Sequence, residues 1–178
     1  MIGVVLAGGA SKRMGRDKAL VEVAGQPMIA WVIDALAAVC PRVLISGRDW
    51  NGWPRLDDHP HFEGPLAGLA AALDLGEDVL LVGVDQPWVR SETLASLAEH
   101  RGVPVDQGLP QVTCGSYQSS LDPRSGDGSL QSLVLPEDLI PENIWRSWDE
   151  DGRSWFSVDR PDDLATGLER FGSPQPPM

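Results

Sequence analysis

A chain of 178 residues, 42% of them apolar, is long enough for one domain with its own core, and its apolar residues are too evenly spread for disorder over most of its length. Its formal net charge of −12 excludes nucleic acid and anionic membrane surfaces as main partners, since both repel such a field. No run approaches the roughly 20 apolar residues of a membrane span. Cys40 and Cys114 show no CxxC or metal-like spacing and read as buried thiols of a reducing compartment. The apolar run from Ile2 to Ala7 breaks at Gly8, too early for a signal peptide, so the expectation is a cytoplasmic protein.

In chain order, Ile2-Gly3-Val4-Val5-Leu6 has the continuous apolar pattern of a strand buried on both faces. A Gly-, Ser- and base-rich loop follows from Gly8 to Asp17. Met28 to Leu36 reads as a helix with Pro27 at its start, and Arg42 to Ser46 as a second strand. A polar loop from Gly47 to Glu63 leads into a helix over Leu66 to Leu75, whose small residues permit close packing on a sheet. Val79 to Val84 is the most emphatic strand and ends at Asp85-Gln86-Pro87; Ser91 is a candidate N-cap for a helix reaching about His100. Three β-α units in this order predict an α/β fold: a single-domain, Rossmann-like three-layer α/β/α sandwich with a mostly parallel sheet over residues 1–171. Beyond His100 the pattern weakens. Gln111 to Ser116 reads as a strand, Asp122 to Ser129 as a mobile loop, Trp155 to Val158 as a last strand and Pro161 to Phe171 as a closing helix. Residues 172–178, with three prolines, are expected to form a loose tail.

Ligands of open α/β sheets bind beyond the carboxyl ends of the strands. Three polar features fall there: the loop after Leu6, Ser46, and Asp85. The first loop, Leu6-Ala7-Gly8-Gly9-Ala10-Ser11-Lys12-Arg13-Met14-Gly15-Arg16-Asp17-Lys18, packs four of the fourteen basic residues, and both lysines, into seven positions. Its glycines let backbone N–H groups approach phosphate oxygens, while Arg13 and Lys18 can neutralise a triphosphate. Lys12 and Arg16 read as solvated. The glycine spacing is that of neither a P-loop nor a dinucleotide-binding turn.

This loop, followed by Gly25-Gln26-Pro27, resembles the signature of the MobA-like NTP transferases. Gly64-Pro65-Leu66-Ala67-Gly68-Leu69, Asp85-Gln86-Pro87 and Pro161-Asp162-Asp163-Leu164 are similar to further motifs of that family, in the same order. The resemblance covers about residues 1–100 and implies a sheet of the nucleotide-diphospho-sugar transferase type. It implies transfer of GMP from GTP to molybdopterin with release of pyrophosphate, dependent on Mg²⁺. Leu6, Ala7, Gly8 and Gly9 would then contact the nucleotide, Lys18 and Arg13 its phosphates, Ser46 and Asp57 the nucleoside, and Asp85 the phosphates through Mg²⁺. Ser157 and Asp159 stand where the family carries Asn-x-Asn. Asp159 reads equally as a second metal ligand or as the N-cap of the helix after it. No general base is implied, because an acceptor phosphate is already largely ionised near pH 7.

The alternatives left open are a cytidylyltransferase, another phosphorylated acceptor, and a binding homologue without turnover. The resemblance also admits transient contact with cofactor-delivery proteins. His59, His61 and His100 lack metal spacing. Trp145, Trp148 and Trp155 read as acceptor-lining or as packing, and the acidic run Asp149-Glu150-Asp151 reads as a solvated loop.

Overall fold

The computed structural model describes residues 1–8, 15 and 17–177. Its frame is a five-stranded sheet. Strands β1 (Ile2–Leu6), β4 (Val43–Ser46), β5 (Arg55–Leu56), β6 (Val79–Gly83) and β9 (Cys114–Tyr117) lie in the order β5-β4-β1-β6-β9. The first four are mutually parallel, and β9 closes one edge antiparallel to β6, with Val82 opposite Cys114. Between β1 and β4 come a hairpin, β2 (Glu22–Val23) with β3 (Gln26–Pro27), and helix α1 (Met28–Ala37). Helix α2 (Gly64–Leu73) precedes β6 and α3 (Ser91–His100) follows it.

The continuous apolar strands follow from burial on both faces. In β1, Val5 packs with α1, whereas Ile2 and Val4 pack with α2; in β6, Leu80 and Val82 divide from Val79 and Leu81 in the same way. Each fully buried Val or Leu of this kind contributes roughly 1.5–3 kcal/mol. The chain runs one way across the sheet from β1 to β4 and back over β1 to β6. Crossovers of one hand must then place α1 and α2 on opposite faces, and they lie there. The carboxyl ends of β1, β4 and β6 therefore open on one crevice.

The second half departs from expectation in part: the closing helix and the strand near Cys114 lie where the sequence places them, and the rest does not. Strands β7 (Val103–Asp106), β8 (Leu109–Pro110) and β10 (Leu139–Ile140) form a separate three-stranded sheet, β10-β7-β8. A short helix α4 (Glu142–Trp145) and α5 (Pro161–Phe171) complete the chain. Trp155 to Val158 is not a strand: Arg153–Trp155 forms a 3-10 turn, and beyond it the Val158 N–H makes a single long-range bond, donating to the Asp85 carbonyl at 2.8 Å. Arg90, not Ser91, stands at the N-cap of α3. Asp122 to Ser129 is held by its own side chains: Asp122 accepts from the Arg124 N–H, and Asp127 accepts from the N–H and hydroxyl of Ser129. The tail is anchored where it begins, because the Trp88 indole donates to the Gly172 carbonyl at 2.8 Å and Pro174 is buried. No helix among the described residues is long and apolar enough to cross a membrane.

Candidate active site at the carboxyl ends of the parallel strands

Backbone bonds tie the ends of β1, β4 and β6 together. The Ala7 N–H donates to the Ser46 carbonyl and the Val84 N–H to the Leu6 carbonyl, both at 3.0 Å. Gly47, just past β4, has φ +87°, and a Cβ there would lie 2.5 Å from the Gly8 Cα, so the loops after β1 and β4 touch backbone to backbone. On α2, a Cβ at Gly68 would stand 2.5 Å from the Ser46 Oγ, and only a glycine lets this helix settle onto the strand ends. Leu6, Ala7, Gly8 and Ser46 thus meet at one place, as the sequence predicts. Gly9 and Arg13 lie outside the described residues.

The crevice carries a charged trio. Lys18 Nζ lies 3.2 Å from Asp85 Oδ2 and also donates a short hydrogen bond to Asp159 Oδ1. These residues are 67 and 141 positions from Lys18 in sequence. Burial opposes the Lys18 charge, but the hydrogen bond to Asp159 and the two carboxylate charges outweigh it and hold its pKa above the ordinary lysine value. Burial raises the Asp85 carboxyl above its usual range, against the pull of Lys18.

The two readings of Asp159 separate here. Asp163 Oδ2 accepts from the backbone N–H groups of Asp159 and Arg160 at 2.8 and 2.7 Å, so Asp163 caps α5 and the Asp159 side chain turns to Lys18. Two carboxylates converging on one cation are a hard-oxygen donor set. Magnesium ordinarily takes one or two protein carboxylates and fills its remaining positions with water and substrate phosphate. Among the described residues no group of three or more His, Cys, Asp or Glu side chains could hold a metal ion.

At the β4–β5 end the structure exchanges two neighbours. Asp57 points away, 86% exposed and ion-paired with Arg55 at 2.9 Å. Asp58 is the carboxylate turned to the crevice, accepting from the buried Ser46 hydroxyl at 2.6 Å. Both residues lie just past β5, which ends at Leu56, and both are exposed; their side chains diverge, Asp57 to Arg55 and Asp58 to the Ser46 hydroxyl.

Sequence reasoning also missed Arg48, whose guanidinium forks onto Asp17, and Asp149. The latter is fully buried rather than solvated: Oδ2 accepts from the Ser154 N–H at 3.0 Å, and Oδ1 has no partner. Trp145 and Trp155 are core residues, with ring centroids 5.7 Å apart, and do not line the crevice. The signal for Arg48 was its place two residues beyond a strand end; Asp149 carried none.

The chain is similar to known proteins over most of its length. The MobA-like NTP transferase domain matches residues 3–155. A molybdenum cofactor guanylyltransferase from Ectopseudomonas mendocina is 30% identical over 165 residues, which cover 86% of this chain and 76% of that one. A molybdenum cofactor biosynthesis bifunctional protein from Synechocystis is 36% identical over 134 residues; the match takes in 66% of this chain but only 39% of that longer relative. In fold, molybdopterin-guanine dinucleotide biosynthesis protein A from Archaeoglobus fulgidus superposes with a TM-score of 0.80 at 23% identity, over 95% of this chain and 97% of that one. With the strand order, the glycine loop and the domain match in agreement over most of its length, the chain belongs to the MobA-like NTP transferase family.

Proposed function

We propose that this protein is a Mg²⁺-dependent guanylyltransferase that transfers GMP from GTP to molybdopterin and releases pyrophosphate. The observation that carries the reading is the Lys18 ammonium held between Asp85 and Asp159 at the mouth of the parallel strands. Two carboxylates and a movable cation beside a glycine loop are the parts that nucleotidyl transfer needs, because the reaction rests on positioning and charge neutralisation.

In this reading the acceptor phosphate attacks the α-phosphorus of GTP in line with departing pyrophosphate, and one P–O bond forms as another breaks. The backbone of Leu6, Ala7 and Gly8 lies against the nucleotide. Asp85 and Asp159 would hold Mg²⁺, which would supply charge neutralisation at the phosphate oxygens. Lys18 and Arg13 supply positive charge to the leaving phosphates. Asp58 faces the base: a carboxylate accepts from both N1–H and the 2-amino group of guanine, whereas the matching edge of cytosine offers one donor beside an acceptor. Ser46 donates to Oδ1 of Asp58 and so fixes the carboxylate plane.

The names of the relatives support guanylyl transfer in molybdenum cofactor biosynthesis. The test is to incubate the protein with GTP, Mg²⁺ and molybdopterin and to measure both pyrophosphate and the dinucleotide product. The reading expects equal amounts of each and neither without Mg²⁺. GTP that is bound but never cleaved would overturn it in favour of a binding homologue.

A further inference from the structure

Arg48 stands in no motif of the crevice, yet the structure gives it a defined task. It follows Gly47, whose backbone contact with Gly8 docks the loop after β4 against the loop after β1. From there its guanidinium forks onto Asp17, with Nη1 3.1 Å from Oδ1 and Nη2 on Oδ2. The Asp17 carboxylate is already engaged locally: Oδ1 accepts from the Ala19 N–H at 3.1 Å and so caps the 3-10 turn Lys18–Leu20. Lys18, the first residue of that turn, is the cation held between Asp85 and Asp159. A chain of contacts therefore runs from the end of β4 through Arg48 and Asp17 to the backbone that carries Lys18.

An exposed ion pair is ordinarily worth little, because two long side chains must be immobilised in high dielectric. This one differs in geometry more than in burial: the Arg48 side chain is 23% exposed and Asp17 40%, but both carboxylate oxygens are engaged and the carboxylate is pre-ordered by its own cap. A planar fork against two oxygens fixes direction as well as distance, which a lysine cannot do.

We propose that Arg48 is a positioning residue for nucleotide binding: through Asp17 it holds the turn that presents Lys18 to the phosphates. The inference rests on the assignment of Lys18 to the phosphates of GTP, and a double-mutant cycle separates the two. Binding of GTP in the presence of Mg²⁺ is measured by calorimetry on the whole protein and on Arg48→Ala, Lys18→Ala and the pair. Arg48→Ala alone weakens GTP about tenfold, within the range that coupled neighbours show, and costs about twofold or less once Lys18 is already alanine. Arg48→Lys keeps the charge without the fork and recovers only part of the loss. Asp17→Asn reproduces the Arg48→Ala effect and serves if Arg48→Ala folds poorly.

An Arg48→Ala protein that binds GTP normally overturns the inference while leaving the phosphate role of Lys18 intact. So does an equal, additive loss in the Lys18→Ala background, which would make Arg48 a direct ligand. If Lys18→Ala itself binds GTP unchanged, the phosphate assignment fails first and the positioning role falls with it.

Discussion

Asp57 and Asp58 are adjacent and equally charged, but their contacts differ, Asp57 pairing with Arg55 and Asp58 accepting from the Ser46 hydroxyl. If Asp58 reads the base, Asp58→Ala should weaken GTP about tenfold or more, since a hydrogen bond to a charged group contributes about 1.5–3 kcal/mol. Asp57→Ala removes only an exposed pair with Arg55 and should change affinity about twofold or less. Parallel titrations of the two variants check this, and the reverse ranking would move the base to the other face. Asp85→Ala should lower turnover by about 10²-fold or more with the protein still folded, the usual loss when a charge-stabilising element is removed; near-normal turnover would remove its metal role. Asp149 bears on stability instead. Burial raises its carboxyl above the ordinary value of 3.8. The folded state then holds a proton that the unfolded chain has released, so its contribution falls as pH rises from about that value through the folded pKa. Asp149→Asn should therefore raise the melting temperature at pH 7 and leave it little changed near pH 3. Melting curves across that range test the sign. At this scale Ser46 and Asp85 were legible because they lie at the ends of apolar strands, a place with chemical meaning, and Lys18 because it closes the glycine- and base-rich loop after the first of them. Asp149 was not, because a buried carboxylate and a solvated one look alike in an acidic run.

Among the elements, the closing helix governs the site more than its sequence suggests. Helix α5 begins just after Asp159, and Asp163 in its first turn holds the backbone of Asp159 and Arg160. It is docked by Trp88, three residues past Asp85, whose ring is 2% exposed and lies on Gly167. A Cβ at Gly167 would stand 2.3 Å from that ring, closer than the two can pack without one of them shifting. Gly167→Ala should cost about 1–3 kcal/mol by overpacking, read as a lower melting temperature. Because Asp159 travels with α5, Mg²⁺-dependent GTP binding should weaken in the same variant; unchanged stability would show that the ring can move. The elements missed from sequence share a cause. Each of the two short hairpins turns on a pair in the left-handed region, Ala24-Gly25 and Gln107-Gly108, in place of the Asn-Gly or Asp-Gly that advertises such a turn. The run Trp155 to Val158 looks like a strand, but Trp155 is buried against Trp145 and Val158 reaches Asp85 by a single backbone bond.

For the molecule as a whole, the first hundred residues were readable because their strands are buried on both faces and their ligand-facing ends alternate with amphipathic helices. The second half contributes β9, which the sequence pattern did announce, and a separate small sheet and a buried cluster of tryptophans, which it did not. Yet this half supplies Asp159, so the site is complete only when both halves are folded. The central claim is that this crevice binds GTP as donor, and calorimetric titration of GTP, CTP and ATP with Mg²⁺ tests it most directly. The account predicts clear preference for GTP, lost when Asp58 is replaced. Equal binding of the three nucleotides, or preference for CTP, would contradict it.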